Sequence, residues 1–216
     1  RICKIQGRTG YPLKNNVLYY GVGALLYCPA TKKTIADSVI SERFGTKYSL
    51  ALCLEDTVAD RFVTQAENLL IDSVNRICRS RQARPFFLPK IFIRVRNPGQ
   101  ILRLTEALGR SLEIITGFIM PKFAAGNAQS YIRAVIRANE LSQKPLYMMP
   151  IYEDSSLLDL RTRQELLYRL KDVLSAVETL VLNIRVGGSD LCHAFGIRRH
   201  PDESIHQIRP VSDILS

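Results

Sequence analysis

The sequence predicts an α/β fold built on a mainly parallel sheet, and three observations carry that expectation. Six short apolar runs recur along the chain with amphipathic stretches between them, the alternation that crossover βα units produce. The runs are apolar almost throughout, as in strands covered on both faces. Polar residues or prolines stop nearly every run, so charged groups collect at the C-terminal strand ends, where α/β sheets and barrels place their chemistry. Six βα units in a row suit either a doubly wound sheet or most of a (β/α)8 barrel. A barrel takes at least about 200 residues and usually nearer 250. With 216 residues, its last two strands would come from beyond Ser216 or from elsewhere. Neither a repeat nor a linker divides the chain, so one domain over 1–216 is expected.

Arg1–Asn16 mixes charge with Gly7, Gly10 and Pro12 and reads as an irregular arm. Val22–Cys28 is the first strand, stopped by Pro29, and Thr34–Ile40 a short helix. Tyr48–Leu54 is the second strand, closed by Glu55 and Asp56. Thr64–Arg79 is helical because Ala66, Leu69, Leu70, Val74 and Ile77 share one face. Arg79–Pro89 reads as a basic, proline-punctuated loop. Lys90–Val95 is the third strand, followed by a helix over Gln100–Leu108 with Gly109 as its C-cap. Ile114–Met120 is the fourth strand, stopped by Pro121 and Lys122. The next helix, Ala128–Asn139, turns Tyr131, Ile132, Val135 and Ile136 inward. Leu146–Tyr152 is the fifth strand. Leu157–Thr179 is the longest helix, with a stripe of Leu166, Leu167, Leu170, Val173, Leu174 and Val177. Leu180–Val186 is the sixth strand. Gly187 and Gly188 then let the backbone turn sharply and approach a ligand, which sets Asp190 just past the strand end. Residues 197–216 form a polar, turn-rich extension.

The balance of 46% hydrophobic and 23% charged residues is that of an ordinary globular chain. Neither a membrane-spanning run nor a signal peptide is visible. The net charge of +10 implies a basic surface or an anionic partner. The positive residues are dispersed, and neither a helix-turn-helix nor zinc-finger spacing is present, which disfavours nucleic acid. The five cysteines are odd in number and form no C-x-x-C pair, so they read as core residues in a reducing, cytoplasmic compartment. A phosphate-binding G-x-x-x-x-G-K-S/T and a G-x-S-x-G elbow are both missing. Gly21-Val22-Gly23 precedes the first strand instead of following it, which excludes a Rossmann fingerprint.

The candidate site residues stand at the ends of separate strands: Glu55 and Asp56, Arg94 and Arg96, Lys122, Glu153 and Asp154, and Asp190. Arg94 and Arg96 are two apart and are expected on one face. Carboxylates from different strands, with no His or Cys cluster, suit Mg²⁺, which takes one or two protein carboxylates plus water and substrate. A facing arginine would hold a substrate carboxylate through two parallel hydrogen bonds. Together these suit an oxo-acid that passes through an enolate. Each residue also has a plainer role: Asp154 and Asp56 could cap helices, and Arg96 could pin a turn. His193 is the only histidine near the glycine turn and is a candidate base.

The motifs, in order, resemble those of the citrate lyase β-subunit family within the HpcH/HpaI aldolase superfamily. Ala24-Leu-Leu-Tyr-Cys-Pro-Ala30 is similar to its LLFVPA strand, and Leu52-Cys-Leu-Glu-Asp-Thr-Val58 to LDLEDAV. Ile93-Arg-Val-Arg-Asn-Pro98 is similar to VRVNP, and Gly117-Phe-Ile-Met-Pro-Lys122 to GIVLPK. Pro150-Ile-Tyr-Glu153 falls at LIET, and Gly187-Gly-Ser-Asp-Leu191 with Phe195-Gly196 at GAEDLAADLG. The resemblance implies a (β/α)8 barrel, incomplete at the C-terminus of this chain, and a Mg²⁺-dependent carbon–carbon lyase or aldolase. Glu153 and Asp190 would hold the metal. Arg94 would bind substrate and act in catalysis, with Arg96 and Lys122 as further substrate contacts and Glu55 and Asp56 as the catalytic acidic pair. The substrate would be a small carboxylate or an acyl thioester, coenzyme A being one carrier, with Arg79, Arg81 and Arg84 available to its phosphates. Relatives form trimers or hexamers. Cys53, Ser189 and Asp154-Ser-Ser-Leu depart from the family pattern, so a divergent member with a changed substrate is expected. A non-catalytic barrel that binds an anionic metabolite is the alternative.

Overall fold

The computed structural model describes residues 20–215; the expected arm at 1–16, and Cys3 with it, lies outside the described residues. Among the described residues, six strands form one sheet: β1 (Leu25–Pro29), β2 (Ser49–Cys53), β3 (Lys90–Arg94), β4 (Ile115–Met120), β5 (Tyr147–Tyr152) and β6 (Arg185–Val186). All neighbours are parallel, and their spatial order is their sequence order. That order decides between the two architectures. A doubly wound sheet reverses direction at a switch point, whereas a barrel adds each strand beside the last.

Helices α1 (Ile35–Ile40), α2 (Val63–Ala83), α3 (Pro98–Leu108), α4 (Ala128–Leu141) and α5 (Arg163–Ser175) lie between the strands. α6 (Gly188–Ala194) and α7 (Arg209–Leu215) follow β6. Leu52, Ile93, Phe118 and Met148 point outward into the large core shared with the helices. Ala51, Phe92, Ile119, Met149, Ile151 and Leu182 form a second cluster with no helical member. This second cluster is the packed interior of the barrel wall, and successive residues of each strand supply one layer and then the other. Gly117 shows how closely β4 and β5 approach: a Cβ there would lie 2.0 Å from the Tyr147 carbonyl oxygen.

Several boundaries differ from the sequence reading. Pro29 ends β1 instead of stopping it, which an edge strand tolerates because a proline there forfeits no ladder hydrogen bond. α2 runs through Arg79 to Ala83, into the expected loop. It stops where Arg84, extended at φ −154°, meets the steric demand of Pro85. The expected long helix begins as a short 3-10 turn, Ser155–Leu158, capped by the Asp154 side chain, and resumes only at Arg163. The sixth strand shrinks to two residues plus an isolated Met148–Val181 bridge. The C-terminal stretch is not merely polar, since Ile208 and Val211 are buried in the main core. Gly109 closes α3 with φ +49° and ψ −121°, a backbone conformation that glycine adopts readily.

Candidate active site

β3 ends on Arg94, which is 9% exposed. Its Nη2 lies 2.7 Å from Glu55 Oε2, 2.9 Å from Asp56 Oδ2 and 3.4 Å from Glu153 Oε1. Glu55 and Asp56 follow β2, and Leu54 holds that turn against β3 by donating to the Arg94 carbonyl at 2.9 Å. Lys122 follows β4 with φ +49°, a conformation that non-glycine residues adopt at a cost and that gathers at functional sites. Its backbone N–H donates to Glu153 Oε1 at 2.9 Å, and its Nζ donates to Glu55 Oε1 at 2.9 Å. One guanidinium and one ammonium thus tie together four strand ends.

Glu153 follows β5, and its side chain is buried. Burial, and then the neighbouring Asp190 carboxylate, push its carboxyl up to about 7, against the pull of the Lys122 amide and Arg94. Against the burial that would raise it, Asp56 is held below its ordinary value by a hydrogen bond with Glu55 and the charges of Arg94 and Lys122. Two buried atoms lack a hydrogen-bond partner here, Arg94 Nε and Glu55 Oε2. The Arg94–Glu55 contact is an ion pair out of line for a hydrogen bond.

Asp190 comes from the first turn of α6. Gly187 explains how it reaches Glu153: a Cβ at position 187 would lie 2.4 Å from Glu153 Oε2 and 3.2 Å from Asp190 Oδ2. Two carboxylate oxygens therefore converge on one backbone position that only glycine leaves open. This donor set fits Mg²⁺, a hard ion content with two protein carboxylates, and a dication between them would relieve the repulsion that raises Glu153. Among the described residues, no group of three or more His, Cys, Asp or Glu side chains gathers for a metal.

The structure brings together Glu55, Asp56, Arg94, Lys122, Glu153 and Asp190. Arg96 goes elsewhere, because strand alternation stops at Arg94. Its Nη1 donates to the carbonyls of Leu54, Glu55 and Val58 at 3.1, 3.3 and 2.9 Å, and its Nη2 meets Asp60. Arg96 thereby clamps the loop that carries Glu55 and Asp56. Arg81 and Arg84 are likewise occupied, donating to the carbonyls of Phe86 and Ile40. His193 is exposed on α6 and lines a cavity of about 480 Å³ with Ser189, Cys192 and Arg198; none of the clustered residues lines it.

Two side chains at the cluster escape the sequence reading. Tyr27 on β1 lies beneath two guanidiniums, with Arg94 Cζ 6.0 Å and Arg185 Cζ 5.8 Å from its ring centroid. Arg185 was hidden inside an apolar run. The chain leaves strand geometry at 182–184, which brings Leu182 and Arg185, three apart, to the same interior face. An arginine within an otherwise apolar run was the available signal.

Fold and site together define a parallel (β/α)-barrel protein with an acid–arginine cluster at the C-terminal mouth of its strands. The chain belongs to a family described as C-C bond lyase of the TIM-barrel fold, whose model matches residues 16–216. No curated protein matches the sequence. Solved structures share the fold. The citrate lyase β subunit of Mycobacterium tuberculosis is 20% identical over 93% of this chain and 74% of its own, with a TM-score of 0.50. CitE of the same organism, in complex with magnesium and pyruvate, is 19% identical over 91% and 68%, with a TM-score of 0.51. RipC of Yersinia pestis is 15% identical over 91% and 70%, with a TM-score of 0.53.

Proposed function

We propose that the chain is a Mg²⁺-dependent lyase or aldolase that cleaves or forms a carbon–carbon bond next to a carboxylate, through an enolate. The observation that carries this is the convergence of Glu153 and Asp190 around Gly187, with Arg94 3.4 Å from Glu153. Membership of a C–C bond lyase family supports it.

Glu153 and Asp190 would hold the ion. When bound, Mg²⁺ supplies positive charge for the oxygen on which the enolate's charge develops. Arg94 supplies the rest. Its guanidinium is buried and its Nη2 is pinned by Glu55, Asp56 and Glu153, so the cation is positioned before substrate arrives, the preorganisation that electrostatic catalysis requires. Glu55 and Asp56 hold Nη2, so the guanidinium cannot swing away. Glu55 also draws in the Lys122 ammonium, leaving a second cation for an anionic substrate. Arg96 has its donors spent on the 54–60 loop and acts through the position of the acidic pair.

The substrate in this reading is a small carboxylate or its acyl thioester, coenzyme A being one carrier. Pyruvate, held with magnesium by CitE of Mycobacterium tuberculosis, has the chemistry this cluster would accept. Four buried free cysteines support a reducing, cytoplasmic compartment, and assembly into a trimer or hexamer belongs to the same proposal. The test is turnover of malyl- and citryl-type thioesters, and of their free acids, with Mg²⁺. Cleavage that chelator abolishes and Arg94→Lys lowers at least ~100-fold is the expected result, by analogy with losing one oxyanion donor. Mg²⁺-dependent acid binding without turnover would leave the regulatory barrel as the function, a reading favoured by Asp154 serving only as a cap.

A further inference from the structure

The geometry points to a second ligand site, between α6 and the chain that follows it, which takes a small organic phosphate monoester. It stands apart from the strand-end mouth and holds whether or not that mouth binds Mg²⁺. The site is the cavity of about 480 Å³ that α6 lines with Ser189, Cys192 and His193 and the following segment with Ile197, Arg198 and Arg199.

Its walls follow from how α6 ends. Gly196 takes φ +69°, and the amides of Gly196 and Ile197 donate to the carbonyls of His193 and Cys192 at 2.9 and 2.8 Å. This is a Schellman closure, and it turns the chain back so that Arg198 and Arg199 face the same space as Cys192 and His193. Arg199 Nη1 then donates to the Glu203 carbonyl, which ties the 199–203 loop together. Ser204 and Gln207 form a capping box that sets Ile205 against α6, so closely that a Cβ at Gly188 would lie 2.8 Å from Ile205 Cγ1. Hydrogen bonds and a packed isoleucine thus hold the cavity in shape.

The chemistry inside is sorted. Cys192, Ile197 and Ile205 supply an apolar floor, and Ser189, His193, Arg198 and Arg199 supply a hydroxyl, an imidazole and two guanidiniums. Among the described residues, no carboxylate lines the cavity, and residues 1–19 contain no Asp or Glu. The two acids of the loop turn to His200 instead. Glu203 Oε2 accepts from the His200 amide at 3.0 Å, and Asp202 Oδ2 stands 3.4 Å from His200 Nδ1. Guanidinium forks match phosphate oxygens. A phosphate monoester brings nearly two negative charges and three acceptor oxygens at neutral pH, enough for two guanidiniums and a hydroxyl. The volume is that of a small-molecule site and leaves room for an organic body over the apolar floor. Part of the chain's +10 charge thereby finds a use away from the mouth.

The test is calorimetric titration of the whole chain with phenyl phosphate, inorganic phosphate and phenol, in chelator so that no Mg²⁺ draws phosphate to the mouth. Wild type should bind phenyl phosphate at one site, at least about tenfold more tightly than either inorganic phosphate or phenol. Arg198→Ala should weaken it about ten- to a hundredfold, the span of a charge-assisted hydrogen bond, and Arg198→Lys should restore part of the loss. Arg198 is exposed, so both variants should keep the fold, which circular dichroism checks. Lys122→Ala, which removes a cation from the mouth, should leave the affinity within about twofold. A loss in Lys122→Ala with none in Arg198→Ala would move the phosphate to the mouth and overturn the inference. Binding no tighter than that of inorganic phosphate, no saturable binding, or an affinity unmoved in Arg198→Ala would overturn it as well.

Discussion

Removing the charge of Glu153 should stabilise the metal-free protein, by an amount that grows with pH. The folded state holds this carboxyl at about 7 against an ordinary 4.5. Between those values the folded chain keeps a proton that the unfolded chain has released. Wild-type stability therefore falls as pH rises across that window and is flat above it. A shift of this size corresponds to at most about 3 kcal/mol. Glu153→Gln keeps the shape and removes the ionisation. Urea unfolding in chelator from pH 4.5 to 8 should show the variant gaining on wild type by up to about 3 kcal/mol, with the gain complete just above pH 7. Other carboxylates titrate in both proteins and largely cancel in the difference. Adding Mg²⁺ at pH 8 should shrink the gap, because the ion binds only the ionised form of wild type. A difference that stays flat across the pH series would refute the claim that Glu153 is held in a repulsive, desolvated place.

Arg94→Ala should destabilise the fold by about 3–5 kcal/mol in thermal or urea unfolding, since it leaves the buried Glu153 without its cation and Glu55 with Lys122 alone. Arg96→Ala removes three carbonyl contacts from the 54–60 loop and should cost about 1–3 kcal/mol; turnover should fall while Mg²⁺ affinity stays within about twofold. Gly187→Ala would set a methyl group 2.4 Å from Glu153 Oε2. It should weaken Mg²⁺ about 10–100-fold, the effect of disturbing groups that orient a ligand, as read by calorimetry.

The sheet and most of the site were legible because the signals are local. An apolar run ending in Glu-Asp, in arginine or in Pro-Lys marks a strand end wherever it stands. Parallel order then carries those ends to one rim. What was not legible depends on phase and on tertiary contact. Arg96 matches Arg94 by alternation, but alternation ends with the strand, and the free carbonyls of the 54–60 loop claim its guanidinium. Arg185 fails for the opposite reason, because irregular backbone at 182–184 shifts the phase and turns it inward. Tyr27 reads as one more strand aromatic until two arginines are found over its ring. In the tail, Ile205, Ile208 and Val211 are too sparse to signal helical structure against 197–216, yet they pack on α6 and the core. Spacing alone left doubly wound sheet and barrel open; the order of the motifs, through its resemblance to a barrel family, pointed to the barrel, and the strand order bears that out.

The most direct measurement is Mg²⁺ binding to wild type, Glu153→Gln and Asp190→Asn, by calorimetry at pH 8 with folding verified by circular dichroism. One site in wild type and at least a tenfold loss of affinity in each variant are expected. Unchanged affinity in both would show that the two carboxylates, although side by side, do not share an ion.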